Sequence, residues 1–83
     1  MEVMAEISLY PLQTGEIGET ISRFLKTLED VGLVAHMGSM SSRLDGDIET
    51  LFSGVGKAFE AAARNDRLVL VMKVSNACPS APS

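Results

Sequence analysis

Apolar residues recur at spacings of three and four in two separate stretches of the chain: Ile17, Ile21, Phe24, Leu25, Leu28 and Val31, then Ile48, Leu51, Phe52, Val55, Phe59 and Ala62. Each set draws one stripe down a helix. Around them stand runs of a different period. Val3, Ala5, Ile7 and Leu9 alternate with Met4, Glu6, Ser8 and Tyr10, the pattern of a strand with one buried face, and Pro11 stops it. Residues 33–40 and 41–44 read as a second and third strand joined by a tight turn. Residues 68–74 are apolar on both parities apart from Lys73, as in a central strand covered on both faces. The order is strand, helix, strand, strand, helix, strand, and each strand-helix-strand unit crosses over right-handedly. That predicts an α+β, ferredoxin-like βαββαβ sandwich: a four-stranded antiparallel sheet with two helices on one face.

Local signals agree with this order. Gly32 follows the first stripe, where a left-handed turn is least strained without a side chain. Asp45-Gly46-Asp47 offers a turn and an N-cap for the second helix, and Asn65-Asp66 ends that helix. Residues 1–78 form a single domain on this reading, with residues 79–83 as a flexible C-terminal tail. The predicted sheet has a second face, carrying Glu6, Ser8, Tyr10, Val69 and Val71, that is too apolar to be left in water, and self-association into a dimer or tetramer is the expected remedy.

Composition removes several functions. A formal net charge of −4, a pI near 4.8 and scattered basic residues argue against nucleic acid, whose affinity comes from clustered Lys and Arg. The chain has no Trp, and its three Phe all fall on helix stripes, so the base-stacking aromatics of an RNA-binding sheet are missing. The lone Cys78 can form neither an internal disulfide nor a thiolate metal cluster. No apolar run is long enough to span a membrane, so no membrane partner and a cytoplasmic location are expected. Phosphatase-type chemistry on this fold would need an Arg in the loop after the first strand, and Pro11-Leu12-Gln13-Thr14-Gly15 has none. Neither enzymatic activity nor a cofactor is expected, since no nucleophile and base suggest themselves.

A small flat ligand fits better. Met4, Met37 or Met40 could pack on a ring while Glu6, Ser8, Ser39, Ser75 and Asn76 read its hydrogen-bonding edges. Simpler roles stand beside this one: Tyr10 as an interface anchor, His36 as a structural histidine, Ser39, Ser41 and Ser42 as turn residues, Arg43 and Asp45 as a solvated charge pair, and Ser75-Asn76 as a strand end.

Three segments, "MAEISLYPLQTG", "LDGDIETLFSGVGKAFEA" and "VMKVSNACP", together resemble the YkoF-like proteins that bind thiamine or its hydroxymethylpyrimidine half, over residues 4–79. The resemblance implies a ferredoxin-like, non-catalytic, oligomeric protein whose ligand is thiamine or hydroxymethylpyrimidine, with Glu6 and Asn76 foremost at the site. Some members of that family carry two such repeats. With one repeat here, a shared pocket would form between subunits. The alternative expectation is a regulatory or assembly module of the same fold with no small-molecule ligand.

Overall fold

The computed structural model describes residues 1–77 apart from 13, 14, 16 and 39. Ser39, Cys78 and the tail 79–83 lie outside the described residues. The elements are β1 (Glu2–Pro11), α1 (Ile17–Asp30), β2 (Val34–Met37), β3 (Ser42–Asp47), α2 (Ile48–Ala63) and β4 (Leu68–Ser75). The sheet order is β2-β3-β1-β4, every neighbour antiparallel, which is the ferredoxin-like arrangement.

The core lies between the sheet and the helices. Val3, Ala5, Ile7 and Leu9 of β1 and Leu44 of β3 meet Phe24, Leu25 and Leu28 of α1 and Leu51, Val55 and Ala58 of α2. The two stripes are only partly buried, since Ile17 and Phe52 are each 50% exposed. Gly32 has φ 102°, and its amide donates to the Glu29 carbonyl while that of Leu33 donates to the Leu28 carbonyl. This paired closure satisfies carbonyls that the helix end would otherwise orphan, and it brings buried Leu33 back toward buried Leu28.

Two expectations about strands change. β4 lies at the sheet edge rather than in its centre. Nor is it covered on both faces: its side chains paired with Tyr10 and Ser8 lie opposite the core face, and Val69 is 45% and Val71 49% exposed, beside Tyr10 at 50%. Asp45-Gly46 is not a turn either, because β3 continues through it to Asp47 and pairs with Val3 and Met4.

Asp47 does cap α2. Its Oδ2 accepts from the Glu49 amide at 3.0 Å, and its Oδ1 accepts from the Met1 ammonium at 3.1 Å. The ammonium hydrogen bond first, then the backbone amide, hold the carboxyl below its ordinary 3.8. A carboxyl depressed on folding stabilises the fold above its unfolded pKa and loses that contribution as pH falls through its lower folded pKa. Asp47→Ala is therefore expected to lower the thermal midpoint at neutral pH. The gap from wild type should close as pH drops below 3.8; an equal gap at neutral and strongly acidic pH would show that the charge contributes nothing.

Candidate functional site

The strands of the sheet differ in length, and that difference creates a groove. β1 pairs with β4 as far as Pro11 but with β3 only as far as Ile7, opposite Ser42. Beyond that point the edge of β1 over Ser8, Leu9 and Tyr10 has no strand partner on its β3 side among the described residues. A groove of about 380 Å³ lies along it, bounded by Gly18, Ile21 and Ser22 of α1 and by Met37, Gly38, Met40 and Ser41 around the β2–β3 turn. Gly38 donates its amide to the Ser41 carbonyl at 2.9 Å, and a Cβ on Gly38 would sit 2.6 Å from that oxygen. The turn closes this tightly because position 38 has no side chain.

The walls combine apolar surface from Ile21, Met37 and Met40 with hydroxyls from Ser8, Tyr10, Ser22 and Ser41. A backbone edge without a strand partner offers donors and acceptors in a line. Such walls can hold a planar ring by its faces and pair its polar edges.

A second hollow, about 280 Å³, opens on the sheet face away from the helices, among Met4, Glu6, Arg43, Lys73, Val74 and Ser75. The two concavities are linked through Glu6. Its Oε2 accepts from the Ser41 hydroxyl at 3.0 Å, and its Oε1 lies 3.5 Å from Lys73 Nζ. Next to it, Asp45 Oδ2 is 3.2 Å from Arg43 Nη2 and 3.7 Å from His36 Nε2, while Asp45 Oδ1 is buried without a hydrogen-bond partner among the described residues. Arg43 and Asp45 do pair, but around a half-buried carboxylate rather than in open solvent.

The expected site residues therefore divide. Ser8, Met37 and Met40 come together in the groove, whereas Glu6 and Ser75 line the open-face hollow. Asn76 is exposed and lines neither. Ser75 Oγ accepts from the Ala77 amide at 3.0 Å, a turn contact that ends β4. Ser39 lies outside the described residues. Sequence reasoning did not find Ile21 and Ser22, and the signal that could have found them is the mismatch between a long first strand and a short third one.

This geometry defines a ferredoxin-like α+β module with a polar-edged groove at an uncovered strand edge. The family model described as thiamine-binding protein matches residues 5–77, and the chain belongs to that family. No curated protein matches. Among solved structures, a hypothetical protein from Methanocaldococcus jannascii is similar with a TM-score of 0.81 and 21% identity, covering 90% of this chain and 79% of that one. A putative thiamine biosynthesis/salvage protein from Thermotoga maritima has a TM-score of 0.78 and 19% identity, covering 90% and 83%. A Streptococcus pneumoniae protein has a TM-score of 0.83 and 15% identity, covering 99% and 93%. At these identities the likeness establishes the fold alone. Among the described residues no helix is long and apolar enough to cross a membrane.

Proposed function

We propose that this protein binds thiamine or its hydroxymethylpyrimidine half in the groove beside β1 and does not transform it. The observation that carries the reading is the thiamine-binding family match across residues 5–77. Geometry supports the choice of groove. The aminopyrimidine has a donor amine and acceptor ring nitrogens, for which serine hydroxyls and the Ser8–Leu9–Tyr10 backbone edge are suitable partners. The methionines supply soft, adaptable packing for the ring. The open-face hollow is a poorer host for the thiazolium cation, because Arg43 and Lys73 both border it. Glu6 acts from the groove's border by holding Ser41.

Binding and self-association are coupled in this proposal. Tyr10 lines the groove and also belongs to the exposed apolar face with Val69 and Val71. A second subunit covering that face would rest against the groove's rim, and affinity would fall on dilution to monomer. The acidic chain would work in the cytoplasm, without nucleic acid or a metal as partner.

A thermal-shift series with thiamine, hydroxymethylpyrimidine and thiamine phosphates tests the proposal. A ligand at ~100 times its Kd adds about 2.7 kcal/mol, a rise on the order of 10 °C or more for a domain of this size. A flat response to all of them would favour a second reading, an assembly module without a small-molecule ligand. The observation behind that reading is the exposed Tyr10, Val69 and Val71 patch.

A further inference from the structure

On the helical side of the molecule, away from β1's free edge, the C-terminal end of α2 and the middle of α1 enclose a groove of about 230 Å³. Ala61 and Ala62 give it an apolar lining over buried Phe24 and Ala58, while Arg23 from α1 and Asn65 and Asp66 from the turn after α2 supply polar groups. Arg23 and Asp66 border the same space with opposite charges, yet neither enters an ion pair among the described residues. The groove is also lined by Thr20, only 3% exposed, whose Oγ1 is buried with no hydrogen-bond partner among the described residues. A buried hydroxyl left unpaired is unfavourable, and such groups are uncommon in native folds.

We propose that this groove is a second site, for a free α-amino acid with an apolar side chain. The guanidinium of Arg23 presents a donor fork suited to a carboxylate. The ammonium would sit at the opposite wall, where the Asp66 carboxylate and the negative end of α2's dipole both favour a cation. The apolar side chain would lie on Ala61 and Ala62, the apolar lining residues of the groove that are not buried in the core. An occupant bearing only an anion would face Asp66, and one bearing only a cation would face Arg23, so the pair of charges selects a zwitterion. The groove is smaller than the ~300 Å³ at which drug-sized pockets begin, which matches an occupant of amino-acid size.

The proposal stands apart from the thiamine reading, since none of these residues borders the groove beside β1. Its test is an amide-resolved NMR titration of the intact protein with L-leucine, with isocaproate and isoamylamine as analogues that each keep one of leucine's charges. Saturable shifts centred on Thr20, Arg23, Asn65 and Asp66 are expected with leucine. Each analogue, and each of the variants Arg23→Gln and Asp66→Asn, should bind at least about tenfold more weakly. Both substitutions are isosteric or surface changes, and an unchanged thermal midpoint verifies the fold. Three results would each overturn the site: no saturable shift with leucine, isocaproate binding as tightly as leucine, or wild-type affinity in both variants.

Discussion

Ser22→Trp is expected to abolish pyrimidine binding while the chain stays folded. Ser22 is exposed on α1 and borders the groove beside β1, so an indole there occupies the space the ligand would use. Trp and Ser have similar helix propensities, and exposed positions tolerate exchange within about 0.5 kcal/mol, so the fold should not suffer. Loss of the buried contact area should weaken hydroxymethylpyrimidine or thiamine by more than about a hundredfold, close to 2.7 kcal/mol. Calorimetry on wild type and variant, with circular dichroism as the folding control, measures this. If the variant binds as wild type does, the ligand lies elsewhere, and the open-face hollow around Glu6 and Lys73 becomes the place to look.

Leu44→Ala should have the largest effect on stability. Leu44 is 0% exposed, and its partners in register on both sides are alanines, Ala5 of β1 and Ala35 of β2. Neither neighbour has atoms with which to fill the space a deleted isobutyl group leaves, so the cavity should persist. Such a deletion costs about 2–5 kcal/mol, with the upper part of that range expected where a site cannot collapse. A domain of this size has roughly 4 to 12 kcal/mol in total, so the variant would lose a large share of its stability. Chemical denaturation should show a lower midpoint at unchanged slope. A loss under about 1 kcal/mol would mean that the sheet repacks around the gap.

Much of the architecture is legible in residue order, and the reasons are local. Spacings of three and four fix α1 and α2, alternation fixes β1, Gly32 closes one helix and Asp47 opens the other. These signals act within a few residues of themselves, so they survive without knowledge of the fold. The site is less legible. Ser8, Met37 and Met40 were found by their chemistry, but Glu6 and Ser75 belong to a different concavity and Asn76 to neither. Residue type says what a side chain can bind, not which other side chains share its space.

The sequence by itself determined the order of elements, the handedness of their connections and hence the sheet with both helices on one face. It also placed the chain near a thiamine-binding family through three short segments. Only the tertiary structure decided that β4 is an edge strand and that β1 outruns β3 at Ile7, leaving a bare backbone edge against α1. It also brought Arg23 and Asp66, 43 positions apart by their numbers, to one groove. The physical reason is that periodicity is set by each element's own geometry, whereas strand neighbours, strand overhang and groove walls depend on distant segments packing together.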